Sequence, residues 1–307
     1  MSPTVLLTIY CAAILLASMA GGWLPTVLRL DHRRMQIMLS FVAGVMLGIG
    51  LLHLLPHGFY ELGSMDATVA WALGGFMAMF FLERFFHFHH HDAADAVPGE
   101  PGQQTVAPAH DHSDAHGHSH GHVHPGAHGS SHAFSWSGAA VGMTLHSMID
   151  GVALAAAVAA ERGHGEIPYL AGLGTFLAVL LHKPFDSMAI GTLMGFAGRP
   201  AGQRLAVNAL FALTIPAGVL LFHFGMNLGP AVLGSALSFA AGAFLCIATS
   251  DLLPELQFHS HDRVKLSCAL LLGIAIAWAM VLFESSGHDV HQHGGAHGHG
   301  AHGGHAH

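Results

Sequence analysis

Eight stretches of this chain are long and apolar enough to cross a lipid bilayer, and that narrows its folds more than any other feature. A spanning helix needs about 20 mostly apolar residues. Candidates run over residues 4–28, 36–60, 67–91, 134–160, 167–196, 202–225, 229–256 and 264–284. Inside lipid every backbone polar group must be satisfied within the protein, which leaves helices or closed barrels. Runs of this length select helices. The composition agrees, with 52% of the 307 residues hydrophobic and 9% charged, where a soluble domain carries about 25% charged residues. The fold class expected is an all-α polytopic membrane protein. The first run lacks a basic leader and is too long for the apolar part of a signal peptide, so it is read as a span.

Ten Lys and Arg residues set the orientation. Arg29, Arg33 and Arg34 lie between spans 1 and 2, and Arg84 borders the connection from 3 to 4. Arg199 and Arg204 flank the 5–6 connection, and Arg263 and Lys265 lie between 7 and 8. The opposite side keeps only Arg162, and Lys183 falls within a span. The odd-numbered connections are therefore expected in the cytoplasm and both termini outside it. The basic residues do not cluster as a nucleic-acid footprint would, so no nucleic-acid partner is expected. Cys11, Cys246 and Cys268 all fall in apolar runs, and no disulfide is expected among them.

Four segments follow from this: spans 1–3 in residues 1–91, a loop over 92–132, spans 4–8 in 133–284, and a tail from 285 to 307. Thirteen of the 30 histidines fall in 87–132 and eight in 288–307. Spaced by Gly, Ser and Ala, the loop and the tail cannot build a packed core. Both are read as disordered metal-binding tracts, the loop cytoplasmic and the tail extracytoplasmic.

An internal repeat adds architecture. SFVAGVMLGIGLLHLLPH at 40–57 matches SFAAGAFLCIATSDLLPE at 238–255 in nine of eighteen positions, at an offset of 198. These are spans 2 and 7, which run in opposite directions. Spans 4 and 5 match at an offset of 36 and are also opposed. Together they predict an inverted 3+2+3 arrangement, which places a substrate site near the midplane between the repeats.

The match between spans 4 and 5 carries the chemistry. TLHSMIDGVALA holds His146 and Asp150, and LHKPFDSMAIG holds His182 and Asp186. Residues four apart share a helix face, so each pair offers an imidazole and a carboxylate from one edge. Facing each other, the four form a mixed nitrogen–oxygen set. Such a set suits tetrahedral Zn²⁺ and tolerates Fe²⁺, Mn²⁺, Co²⁺ or Ni²⁺. Two aspartates also neutralise a divalent cation where charge is costly. Lys183 cannot ligate while protonated and is read as an internal cation standing in for a second metal. Pro184 cannot donate to the carbonyl of Leu180, which predicts a kink and a free acceptor in span 5. At the span ends, His53, His57 and Glu61 map through the repeat onto Asp251, Glu255 and His259. These six form candidate relays at the outer and inner mouths.

At these residues the chain resembles the ZIP (Zrt/Irt-like) metal permeases. HSMIDGVALA in span 4 resembles that family's first signature, and HKPFDSMAIG in span 5 resembles its variant beginning H-K. HLLPH, DLLPE and the His-rich loop resemble it too. The resemblance implies movement of Zn²⁺ or a similar divalent metal, as substrate, toward the cytosol. It also implies alternating access, a site between spans 4 and 5, and a homodimer embedded in lipid, in the plasma or inner membrane. His146, Asp150 and His182 match the family's first metal site, with Asp186 at the position of a further ligand. The family's second site, where present, uses an Asn and two acidic residues. Here those positions resemble Ser147, Lys183 and apolar Ile215, so one central metal is expected. An intramembrane metal-dependent hydrolase is the competing reading, because zinc on His and Asp can activate water. No HExxH motif supports it, and no enzyme is expected.

Overall fold

The structure is a computed structural model that describes residues 2–27, 32–86, 131–163, 170–225, 229–258 and 263–292. Side chains are described for these residues except 24–27, 32, 86, 131–135, 163, 251–258 and 284–292. The His-rich loop and the end of the tail therefore lie outside the described residues.

Every regular element among the described residues is helical. They are α1 (Pro3–Val27), α2 (His32–Ile49), α3 (Leu55–Leu62), α4 (Met65–Phe86), α5 (Ser131–Gly163), α6 (Leu173–Phe196), α7 (Ala201–Ala212), α8 (Thr214–Gly225), α9 (Pro230–Phe258) and α10 (Arg263–Gln292). A single π-helical stretch, Gly50–Leu54, joins α2 to α3. Pro56 explains it. Proline has no N–H to give the carbonyl of residue 52 and its ring crowds that carbonyl, so the chain widens by one residue ahead of it. Pro216 acts similarly on the sixth run, which breaks at Leu213 between α7 and α8. The helix at α6 runs on through Pro184.

Seven stretches among the described residues are long and apolar enough to cross a membrane. Helix α6 is 24 residues long, but His182, Lys183, Pro184 and Asp186 interrupt its apolar run. The chain is an all-helical polytopic membrane protein.

The helices pack chiefly as four pairs: α2 with α10, α4 with α9, α1 with α6, and α5 with α8. Hydrophobic association is weak in lipid, so close contact needs small residues that let backbones approach. A Cβ on Gly44 would strike the Leu270 carbonyl, and one on Gly242 would strike that of Ala72. A Cβ on Gly75 would strike the Phe239 carbonyl, and one on Gly273 that of Phe41. Each contact becomes its partner when its residue numbers are shifted by 198. The centre behaves alike. Gly21 of α1 abuts the Pro184 carbonyl of α6, and Gly218 of α8 abuts the Met148 carbonyl of α5. Gly151 abuts the Ile215 carbonyl. At the matching crossing Ser18 and Ser187 share a hydroxyl–hydroxyl bond of 2.6 Å. Helices α5 and α6 thus lie against each other in the interior, braced by α8 and α1.

Candidate metal centre

The spacing of four places His146 and Asp150 on one face of α5 and His182 and Asp186 on one face of α6, and the two faces meet. All four residues are buried. One ligand atom from each lies within 4.8 Å of every other. His146 Nε2 stands 3.4 Å from Asp150 Oδ2 and 3.6 Å from Asp186 Oδ2. His182 Nε2 stands 3.3 Å and 3.8 Å from the same two oxygens. Tetrahedral ligands at zinc bond lengths of ~2.0–2.1 Å lie ~3.3–3.4 Å apart, and the four His–Asp distances are close to that spacing.

Two features suit the atoms to a cation. His182 Nδ1 donates to the Ala178 carbonyl at 2.8 Å, which leaves Nε2, 3.3 Å from Asp150 Oδ2, to serve as the ligating nitrogen when a cation displaces its proton. Asp150 Oδ1 and His146 Nδ1 are buried with no hydrogen-bond partner. An oxygen so placed is a strong demand for a positive ligand.

Lys183 has no exposed surface. Its ammonium lies 3.3 Å from Asp186 Oδ2 and 3.5 Å from Asp150 Oδ2. It donates to Ser147 Oγ and stands 4.5 Å from the centre of the Phe211 ring. The lysine and the four-residue set therefore share both carboxylates. Ile215 of α8 is fully buried, and its carbonyl abuts Gly151, the residue after Asp150.

Of the outer relay, His53 is buried within the π-helical stretch, and the His57 ring lies 4.8 Å from it, centre to centre. Glu61 is half-buried at the end of α3, where its Cβ faces Gly234 of α9. The side chains of Asp251 and Glu255, and His259 altogether, lie outside the described residues. The structure adds a residue that the sequence reading missed. His53 Nε2 donates to Glu161 Oε1 at 2.9 Å, and Glu161 is buried. The only sequence signal for Glu161 was its position eleven residues beyond Asp150, three whole turns along the same face. Asn208 of α7 was also missed. It is buried and donates to the Ser18 carbonyl at 3.4 Å. The three cysteines are free thiols.

A family model described as "ZIP Zinc transporter" matches residues 5–281. Among curated proteins, the zinc transporter ZIP9-A of Xenopus laevis is 24% identical, the alignment covering 86% of this chain and 93% of the relative. Zinc transporter 3 of Arabidopsis thaliana is 22% identical over 77% of this chain and 70% of its own length. The Fe(2+) transport protein 2 of Oryza sativa subsp. japonica is 25% identical, covering 85% and 81%.

Proposed function

The chain belongs to the ZIP zinc transporter family, and from that premise we propose that it moves Zn²⁺ toward the cytosol through the cluster of His146, Asp150, His182 and Asp186. Membership makes it a transporter of divalent metal rather than an enzyme, and the hydrolase reading falls away. The observation that carries the site is the convergence of four ligand atoms from α5 and α6 within 4.8 Å, in the interior of the helical bundle. The ion is substrate here and must leave again. The proposed balance is a four-ligand site that neutralises the cation, with Lys183 competing for the same carboxylates and easing release. Lys183 serves as the fixed cation that replaces a second metal, so one metal binds at the centre. Fe²⁺, Mn²⁺, Co²⁺ and Ni²⁺ suit the same donors.

The inverted 3+2+3 repeat across eight spans, with alternating access between its halves, is supported by the glycine contacts that recur at an offset of 198. His53, His57 and Glu61 line the outer approach in this reading, and Asp251, Glu255 and His259 the inner one. The basic residues on the odd-numbered connections support extracytoplasmic termini and inward transport in the plasma or inner membrane, and the family resemblance supports a homodimer. Uptake of radioactive zinc into proteoliposomes of known protein orientation tests the reading. Zinc should accumulate when it is supplied on the face carrying the even-numbered connections. Movement only in the reverse sense, or none, would refute it.

A further inference from the structure

Outside the central cluster, His53 and Glu161 form a buried imidazole–carboxylate pair among the described residues, exposed by only 4% and 3%. Glu161 lies in the last turn of α5, where a carboxylate normally meets water, yet it is buried, and a charge kept buried must be paired or hold a cation. Glu161 stands three turns of α5 beyond Asp150, on the same face and about 16 Å toward the α5–α6 connection. Leu154, Ala157 and Val158, all buried, fill that face between them. Its carboxylate is aimed from behind, because Gly172, just ahead of α6, donates its N–H to Oε2 at 2.6 Å. Gly172 has the left-handed backbone (φ 73°), and a side chain there would strike Val158. Oε1 is thereby turned to His53 Nε2 at 2.9 Å.

Gly174 of α6 lies beside the Cδ2–Nε2 edge of that imidazole: a Cβ there would stand 3.6 Å from Cδ2 and 3.7 Å from Nε2, and would crowd Ile49 Cδ1 at 2.9 Å. One turn further, half-buried His57 brings its ring within 4.8 Å of His53, on the way to the Gly63 cap of α3. Both α3 and α5 end on the side of the even-numbered connections, the outer side by the distribution of Lys and Arg.

We infer that His53 Nε2 and Glu161 Oε1 are ligands of an outer way-station, which holds a divalent transition metal before it moves inward to the central cluster. Water completes its coordination, with His57 the next imidazole along the path, and the proton between the two atoms leaves as the metal enters. The Gly172 N–H orients the carboxylate as an outer-shell partner does. Two buried protein ligands in place of four make the station weaker than the centre, as a stopping place on a path must be. The inference rests on the transport reading and deepens it, adding from α5 an acidic ligand for the outer mouth.

The test uses the full chain in proteoliposomes, with initial uptake of radioactive zinc and cadmium normalised to folded protein. Glu161→Gln keeps the side chain's size and keeps both hydrogen bonds once His53 takes its Nδ1–H tautomer, the amide oxygen accepting from Gly172 and the amide NH2 donating to His53 Nε2, but it removes the anionic ligand. A residue that only fastened α5 to α6 would tolerate it. The way-station predicts a KM for zinc raised about tenfold with kcat within about twofold of wild type. His53→Cys puts a soft thiolate in place of the imidazole and should raise the cadmium-to-zinc ratio of kcat/KM by about fivefold or more. Wild-type uptake with an unshifted KM in Glu161→Gln, or an unshifted metal ratio in His53→Cys, overturns the way-station alone. Should His53→Cys fail to fold, the KM of Glu161→Gln decides. No uptake by the wild-type chain would overturn the transport reading and this inference with it.

Discussion

Lys183→Met removes a buried ammonium while nearly keeping its volume. The ammonium sits 3.3 Å and 3.5 Å from the two aspartate oxygens that the metal would use. At an effective dielectric of ~20 each contact is worth about 5 kcal/mol of gross attraction. A divalent ion among the four ligand atoms would lie about 5 Å from Nζ and be repelled by about 7 kcal/mol gross on the same scale. Desolvation and relaxation absorb most of such terms. If only about 1.4 kcal/mol of the repulsion survives, metal affinity changes tenfold. Lys183→Met should therefore bind zinc at least about tenfold more tightly. Its transport KM should fall, and kcat should fall with it because release slows. Initial zinc uptake into proteoliposomes across a concentration series, corrected for folded protein, measures both. An unchanged or higher KM in folded Lys183→Met would refute the competition argument. Lys183→Glu goes further, since it restores an acidic residue beside His182. In protein lacking 92–132 and 288–307, the metal-to-protein ratio should rise from one to two. Two central metals with Lys183 intact would defeat the substitution idea.

Asp150→Ala and His182→Ala should each abolish most zinc uptake while the protein still inserts. Wild-type rates from either variant at normal abundance would remove it from the site. Deleting 92–132 should leave uptake nearly intact and change how much metal is retained at the cytosolic face, read by equilibrium metal binding. Total loss of uptake in folded protein would make the loop part of the path. Gly44→Ala and Gly242→Ala should each lower thermal stability by about 1–3 kcal/mol, because the added methyl strikes a backbone carbonyl that cannot turn aside. Unfolding of the purified protein should register similar losses for the two.

The central cluster was legible because its geometry is local. His146 with Asp150 and His182 with Asp186 are fixed by helical spacing, and the repeat at an offset of 36 told which helices would face each other. The contacts of Gly44 and Gly242 recur at the same offset of 198, but no sequence signal named the carbonyls that they touch. Glu161 stayed hidden because it precedes Arg162 at the end of an apolar run, where a carboxylate normally meets water. Its burial depends on His53 and Gly172, 108 and 11 residues away. The π-helical stretch at Gly50–Leu54 also escaped. Pro56 announces a disturbance, but the form it takes depends on the neighbours: α6 carries Pro184 without a break, and the sixth run parts at Leu213, three residues ahead of Pro216.

Anomalous diffraction at the zinc edge, from crystals of the full chain grown with zinc, tests the central claim most directly. The account predicts one strong peak between α5 and α6, within bonding distance, about 2.0–2.2 Å, of His146 Nε2, His182 Nε2 and oxygens of Asp150 and Asp186. No second peak should lie beside Lys183. Zinc bound elsewhere in the membrane-spanning region, with none among these four residues, would contradict it.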